Sequence, residues 1–80
     1  MPENMPEVTV DAPADGAGLP FVLKQAGLTS STSEALRMID QGGVKMDGER
    51  VSDKALKLSR GAEVVLQVGK RKFARVRIRG

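Results

Sequence analysis

The chain has 80 residues and a formal net charge of +3, from 13 Lys and Arg against 10 Asp and Glu. A chain of this length forms one domain that buries only about 60 per cent of its unfolded surface, which leaves little room for a catalytic cleft. The sequence contains no Cys and no His, which excludes a disulfide framework, the usual zinc ligands and the usual general base. We expect no catalytic residue, metal site or cofactor in this chain.

Charge is unevenly distributed along the chain. Residues 1–20 contain four acids and no base, whereas the remaining residues hold all 13 Lys and Arg against six acids. The first segment is rich in Pro, Ala, Glu and Gly and lacks the apolar periodicity that would offset the entropy of ordering it. The sequence therefore predicts a disordered, mobile acidic linker over residues 1–18 and a folded domain over residues 19–80.

The N-terminus also bears on where the protein acts. It is acidic, and the longest apolar runs of the chain are only a few residues long. These features resemble neither a signal peptide nor a membrane span. We therefore expect a cytoplasmic protein without a membrane partner.

A short first helix is predicted at the start of the folded domain. Leu19, Val22 and Ala26 recur at helical spacing, which indicates a helix from about Leu19 to Ala26. Its apolar side is expected to pack on Met38 and Ile39, which belong to the next helix.

The second helix has stronger start and stop signals. Ser31 followed by Glu34 forms a capping box, so the helix is predicted to begin at about Thr32. One side is apolar and the other polar; these sides consist of Ala35, Leu36, Met38 and Ile39, and of Ser33, Arg37 and Gln41. Gly42 and Gly43 end the helix, because glycine adopts the left-handed cap conformation without steric penalty.

A hairpin follows the second helix directly. Residues 44–46 and 49–51 alternate around Asp47-Gly48, a dipeptide that favours a two-residue turn. Asp47 and Glu49 flank an exposed turn without a partner group, so they do not indicate acid–base catalysis. Residues 52–60 are predicted as an ordered loop anchored by its two leucines, Leu56 and Leu58.

Two longer alternating segments complete the domain. Apolar residues alternate over residues 63–68 and again over residues 73–79, with a basic turn at residues 69–72 between them. The whole pattern predicts an α+β fold in which two N-terminal helices pack on a small antiparallel sheet of about four strands.

The helix and hairpin together carry a recognisable motif. Residues 30–51 combine a small polar cap, Glu-Ala-x-Arg, an apolar pair, a Gly-Gly stop and an Asp-Gly turn. This motif resembles the RNA-binding domain named after ribosomal small-subunit protein S-four, also called the alpha-L fold, and residues 19–28 and 61–78 resemble that family's first helix and closing strands. The phrase Gly-Lys-Arg-Lys-Phe-Ala-Arg-Val is similar to one branch, the C-terminal domains of bacterial tyrosyl-tRNA synthetases. Thr32 and Leu36 depart from the pattern, since many relatives have basic residues there.

The resemblance implies RNA contacts around the second helix. Carried over position by position, these contacts fall on Ser30, Ser31, Thr32, Ser33, Arg37, Gln41, Gly43 and Lys45. A helix start also presents free N–H groups at the positive end of its dipole, which favours phosphate. A second basic group is expected to extend the surface, because Lys and Arg release counterions from phosphates. It consists of Lys70, Arg71 and Lys72, with Arg75, Arg77 and Arg79.

The resemblance further implies a function in translation. It indicates a tRNA-binding C-terminal module of a tyrosine–tRNA ligase that grips tyrosine tRNA near the anticodon stem and the long variable arm. The parent enzyme would use ATP in a catalytic region that this chain lacks, and residues 1–18 would connect the module to that region. The parent is expected to be a homodimer and the isolated module an inactive monomer.

Structural interpretations of the same residues remain open. An Arg or Gln on a polar helix face is usually only solvated, which applies to Arg37 and Gln41. The Ser31–Glu34 pair stabilises a helix start whether or not RNA is present. Residues 70–72 are also typical of a solubilised hairpin tip. Phe73 either stacks on a base or packs against neighbouring side chains.

Two other functions are compatible with parts of the sequence. Another protein with the same domain, such as a pseudouridine synthase or a ribosome-associated factor, would bind a different RNA through the same surface. A ubiquitin-like protein-interaction module has a similar size, but the sulfur carriers of that class present a C-terminal Gly-Gly, whereas this chain ends in Arg79-Gly80.

Overall fold

A computed structural model describes residues 5–80, in which two helices pack against one face of a five-stranded sheet. The helices are α1 (Leu19–Gln25) and α2 (Thr32–Asp40). The strands are β1 (Glu7–Asp11), β2 (Ala17–Gly18), β3 (Val44–Met46), β4 (Glu49–Arg50), β5 (Lys57–Leu58), β6 (Glu63–Val68) and β7 (Lys72–Arg79). The main sheet has the order β1-β7-β6-β3-β4, and β2 pairs with β5 separately. The α+β class predicted from the sequence is confirmed.

The core lies between the helices and the inner face of the sheet. Alternation along β7 sends every second side chain inward, where it meets the inward side chains of β6 and β3. The largest fully buried side chains are Leu19, Leu23, Ile39, Leu66, Ile78, Val22, Val44 and Val76. Each such side chain contributes roughly 1.5 to 3 kcal/mol relative to remaining exposed. The core therefore fixes α2 against β3 and β6, which positions the surface described below.

Helix α2 has a narrower buried side than its sequence predicts. Ala35 and Ile39 are fully buried, but Met38 is only half-buried and Leu36 is 38% exposed. Viewed down the helix axis, Leu36 lies about 80° from the midpoint between Ala35 and Ile39, so its side chain extends past the edge of the core. Phe21 of α1 is likewise 41% exposed. Neither helix in the described range is long and apolar enough to cross a membrane.

Both helices end in the same glycine-dependent motif. At the end of α2, Gly42 has φ +73° and its N–H bonds to the Ile39 carbonyl at 3.0 Å, while the Gly43 N–H bonds to the Met38 carbonyl at 2.8 Å. This is a Schellman motif, in which two otherwise unpaired carbonyls are satisfied. Gly27 ends α1 in the same way with φ +78°. The helix start at Thr32 and the stop at the glycine pair are therefore as predicted.

The first hairpin also forms as predicted. Lys45 pairs with Arg50, and Met46 with Glu49, on either side of Asp47-Gly48. Both turn residues have positive φ, 52° and 88°, which identifies a type I′ turn. Asp47 additionally bonds β6 through both its backbone and its side chain, since its carboxylate accepts from the Val65 N–H at 2.9 Å. Its role in this structure is to extend the sheet.

The structure differs from the predicted domain boundary at Gly18. Strand β1 pairs in parallel with β7, so that Val10 lies opposite Ile78 and is only 3% exposed. Residues 7–18 thus contain two strands that the sequence analysis assigned to a linker, and residues 1–4 of that linker lie outside the described residues. Residues 7–11 join the sheet because Val8 and Val10 share the core-facing side of β1. The sheet consequently has five strands and mixed direction, where about four antiparallel strands were expected.

The segment before α1 is fixed by the predicted loop at residues 52–60. Ala17 pairs with Leu58, and the Leu19 N–H bonds to the Leu56 carbonyl at 2.9 Å. Leu58 is buried and Leu56 half-buried, so the two leucines anchor the loop as expected. The short β2–β5 pairing itself was not predicted.

Candidate nucleic-acid interface

The start of α2 is closed by a network of short polar side chains. The Ser31 hydroxyl accepts a hydrogen bond from the Glu34 N–H at 3.0 Å, which is the expected cap. The Glu34 carboxylate accepts from the Ser30 N–H at 3.2 Å and from the Ser30 hydroxyl at 3.0 Å, one residue earlier than in the standard capping box. Ser30 and Ser31 are therefore engaged in holding the helix start, whereas the exposed Thr32 and Ser33 hydroxyls take no part in this network.

The same network stabilises the charged form of Glu34. The Ser30 N–H and then the Ser30 hydroxyl lower the pKa of the Glu34 carboxyl, and the nearby cations Lys72 and Arg37 act in the same direction. Glu34 is consequently an anion at neutral pH. It is an acidic point between the polar face of α2 and the basic turn that connects β6 to β7.

The polar face of α2 lies opposite the core. Arg37 and Gln41 are both exposed and lie one helical turn apart on this face. Arg37 has no ion-pair partner among residues 5–80. The structure therefore gives the predicted contact residue an open position at the surface, at the helix face that adjoins Glu34.

The turn between β6 and β7, residues 69–71, lies beside α2. It is fixed there by a hydrogen bond from the Gly69 N–H to the Gly43 carbonyl at 2.8 Å. A groove of about 380 Å³ separates the two elements. Its lining residues are Leu28, Glu34, Met38, Val68, Gly69, Lys70, Arg71 and Lys72. Two groups that the sequence analysis treated as separate, the helix and the basic turn, are thus neighbours.

Gly43 has a packing role in this arrangement. A Cβ atom at this position would lie 2.7 Å from the Met38 Cε atom and 3.4 Å from the Met38 carbonyl oxygen. The absence of a side chain therefore lets Met38 reach over the helix end. Gly43 is half-buried, and its carbonyl already accepts from Gly69. It supports the surface at the junction of α2, β3 and the β6–β7 turn.

Lys45 lies on a different face from the groove. Strand alternation directs Lys45 to the open face of the sheet, opposite in direction to buried Val44, whereas Lys72 points to the helix side. Arg50 is the ladder partner of Lys45 and reaches the helix end, because a Cβ on Gly42 would lie 3.1 Å from the Arg50 Cδ atom. Arg50 was not among the residues predicted from the sequence, although the hairpin register was sufficient to pair it with Lys45.

The arginines of β7 have a different environment from the turn. Arg75, Arg77 and Arg79 lie on the open face of the sheet, where each is close to a carboxylate. The ion pairs are Arg75–Glu7 at 3.2 Å, Arg77–Glu63 at 3.2 Å and Arg79–Asp11 at 3.3 Å. Within residues 5–80, Lys70, Arg71 and Lys72 have no such partner. The free positive charge of the hairpin is therefore concentrated at its tip.

These charges suit the binding of an anion and not bond making. In the described range, no group of acidic side chains is arranged to hold a metal ion. Arg37 and the three cations of the hairpin tip are exposed and without an ion-pair partner among residues 5–80, and such cations can contact a phosphate backbone.

Comparison with known proteins assigns the family. The family model described as S4 domain matches residues 18–64, which include both helices and the first hairpin. The chain therefore belongs to the S4 domain family, as its motif indicated. It is also similar to enzymes named tyrosine–tRNA ligase. The relative from Nitrosospira multiformis is 58% identical over 98% of this chain, and the relative from Aromatoleum aromaticum is 64% identical over 95%. The chain spans about a fifth of the length of these relatives, 19% in each case.

Proposed function

We propose that this chain is the C-terminal tRNA-binding module of a tyrosine–tRNA ligase. The similarity to enzymes of that name extends over nearly the whole chain, including β1 and β7 outside the matched family region. The observation that carries the proposal is the set of unpaired cations around α2 and the hairpin tip. ATP use and ligation belong to regions beyond this chain, which contributes affinity and not chemistry.

The proposed mechanism is electrostatic gripping of a structured RNA. One part of the surface consists of Lys70, Arg71 and Lys72, with Arg37 on the exposed face of α2. A second part, at the edge of the sheet, consists of Lys45 and Arg50. Each cation that contacts a phosphate releases counterions, so affinity depends strongly on salt. The exposed hydroxyls at the start of α2 lie at the positive end of its dipole and add a seat for one phosphate.

In the proposed function, RNA binding by this module acts through its attachment to a catalytic region. A module bound to one part of a tRNA raises the effective concentration of the rest of that tRNA at a tethered site. We propose tyrosine tRNA as the partner, held near the anticodon stem and the long variable arm. The proposal places the parent enzyme in the cytoplasm as a homodimer, with the isolated module as a monomer.

A pair of double mutants tests the proposed surface. We expect Arg37→Ala with Lys45→Ala to weaken tRNA binding by roughly 1 to 3 kcal/mol, since each charge-assisted contact contributes about 1.5 kcal/mol or less. Stability should change by no more than about 0.5 kcal/mol, because both side chains are exposed. Fluorescence anisotropy with tyrosine tRNA and thermal unfolding measure the two quantities.

The matched control is Lys54→Ala with Lys57→Ala. It removes the same charge from lysines that are ion-paired to Asp40 at 3.0 Å and to Asp15 at 3.1 Å. This control should bind tRNA nearly as well as the unchanged protein. Equal losses in the two double mutants would show that binding follows net charge alone, and a flat dependence on salt would contradict RNA binding through phosphates.

A further inference from the structure

The groove between α2 and the β6–β7 turn has an apolar floor and a charged rim. Leu28, Met38 and Val68 supply the floor. One side of the rim consists of Lys70, Arg71 and Lys72. Of the floor residues, Leu28 and Val68 are buried and Met38 is half-buried. An apolar concavity that opens beside unpaired cations suits a ligand with both a flat apolar part and a phosphate.

The acidic side chain in the groove restricts what can enter. Glu34 lines the groove and is charged at neutral pH, and hydrogen bonds from Ser30 to its carboxylate stabilise that charged form by lowering its pKa. A second anion inside the groove would be repelled, which excludes phosphate from the floor and leaves it to the rim. Two of the carboxylate's lone-pair positions are taken by Ser30, and the others remain able to accept from N–H donors.

We propose that the groove receives the base of an unpaired nucleotide of the bound RNA. The base lies over Met38 and Val68 with an N–H edge toward Glu34, while the flanking phosphates contact Lys70 and Lys72. The inference rests on the proposed function, since it concerns the same RNA. The nucleotide is unpaired because a base within an A-form stem has its face covered by stacking and its edge used in pairing. Methionine suits such a floor, since its flexible thioether adapts to a flat ring.

The test compares two RNA hairpins with equal numbers of phosphates. One carries a single bulged adenosine and the other an abasic ribose at the same bulge. We expect the unchanged 80-residue protein to bind the adenosine hairpin about tenfold more tightly, as partial burial of one apolar group allows. The salt dependence should be the same for both hairpins, because the phosphate contacts are the same.

A matched pair of variants locates the base. Met38→Ala should reduce the preference for the adenosine hairpin to about two- or threefold, because it removes most of the exposed floor. Leu36→Ala is the control, since it removes an exposed apolar side chain from the same helix outside the groove. It should leave the preference unchanged. Circular dichroism and thermal unfolding establish that both variants are folded at the assay temperature.

The outcomes separate this inference from the proposed function. Equal affinity of the unchanged protein for the two hairpins, with a normal salt dependence, overturns the groove proposal and leaves RNA binding intact. A preference that survives Met38→Ala also overturns it, because the base must then lie elsewhere. If neither hairpin nor tyrosine tRNA binds, both proposals fail.

Discussion

The β6–β7 hairpin has three cations at its tip, residues 70–72, and three arginines along β7. The two groups differ in whether they form ion pairs. Residues 70–72 have no ion-pair partner in the described range, whereas the three arginines of β7 each lie within 3.3 Å of a carboxylate. The carboxylates belong to β1 and β6, whose alternation places them on the same open face as the arginines. A count of basic residues therefore does not locate a polyanion site, because neighbouring strands decide which charges remain free.

The largest expected effect on tRNA affinity comes from removing the charges of the hairpin tip. Substituting alanine at Lys70, Arg71 and Lys72 should weaken tRNA binding by roughly 100-fold, since each lost phosphate contact costs about 1 kcal/mol. The slope of log affinity against log salt should become shallower by about 2 to 3. Anisotropy titrations over a salt series measure both quantities.

The matched variant carries alanine at Arg75, Arg77 and Arg79. It removes the same net charge, but we expect it to weaken tRNA binding by less than about tenfold, because ion-paired arginines have few counterions to release. Its cost should fall on stability instead, at about 0.2 to 1 kcal/mol for each exposed pair. Equal losses of tRNA affinity in the two variants would remove the distinction between tip and strand.

The reverse change should convert part of the strand into a binding surface. Glu7→Gln with Asp11→Asn leaves β1 in place, releases Arg79 from its partner and leaves Arg75 with only a longer contact to Glu63 at 4.0 Å. We expect tRNA affinity to rise about three- to tenfold at low salt, with a slope steeper by about 1 to 2. Thr9→Ala on the same face of β1 is the neutral control. An unchanged slope would indicate that the open face of β7 does not reach the RNA even when its charges are free.

A smaller effect separates structural polar groups from contact groups at the helix start. Ser31→Ala should lower the free energy of unfolding by about 1 kcal/mol, because it removes the acceptor for the Glu34 N–H. The affinity for tRNA should stay nearly the same when both proteins are folded, since this hydroxyl already accepts from the Glu34 N–H. Thr32→Ala serves as the comparison, with almost no change in stability. Chemical denaturation measures the first expectation, and a loss of tRNA affinity in folded Ser31→Ala that Thr32→Ala does not show would assign the Ser31 hydroxyl to the RNA.

The smallest expected effect is a change in stability at low pH. The pKa of Glu34 is lowered by the Ser30 N–H and hydroxyl, and that of Asp15 by Lys57, so both stabilise the fold in their charged forms. The stabilisation is complete above the ordinary values of 4.5 and 3.8 and is lost as pH falls below them. We expect a slight fall in the denaturation midpoint over that range, reduced in Glu34→Gln. A midpoint that rises on acidification would contradict the sign.

Local signals explain which parts of the fold the sequence predicted. The cap at Ser31, the glycine pair after α2 and the Asp47-Gly48 turn are each determined by residues within a few positions of one another. The β6–β7 hairpin is likewise made by neighbours in the chain. Tertiary packing changes these elements little, so their positions in the structure agree with the prediction.

Strand β1 depends on a partner at the other end of the chain. Its two valines are too few to distinguish a strand from a linker, and its acids favour the linker interpretation. Only the pairing with β7, more than sixty residues later, directs the acids to the open face of the sheet and the valines to the core. Backbone relaxation will decide between the two descriptions. High order parameters across Val8 to Asp11 would agree with the structure, and low values would support the mobile segment that the sequence predicts.

The groove could not be predicted from the sequence either. One wall comes from residues 28–38 and the other from residues 68–72, and nothing in either segment indicates the other. The predicted contact residues around α2 were identified by resemblance to a family, but their division between two faces of the sheet follows from strand register. Lys45 and Lys72 point in opposite directions for this reason.

The parallel pairing of β1 with β7 determines how the domain responds to tension. A force applied at the two ends pulls β1 toward residue 7 and β7 toward residue 79, in opposite directions along one axis. Hydrogen bonds such as Arg75 N–H to the Pro6 carbonyl, 2.8 Å, and Ala12 N–H to the Arg79 carbonyl, 2.6 Å, lie across that axis. They are therefore loaded together in shear and not opened one after another. The domain should resist stretching between its ends more strongly than its modest core implies.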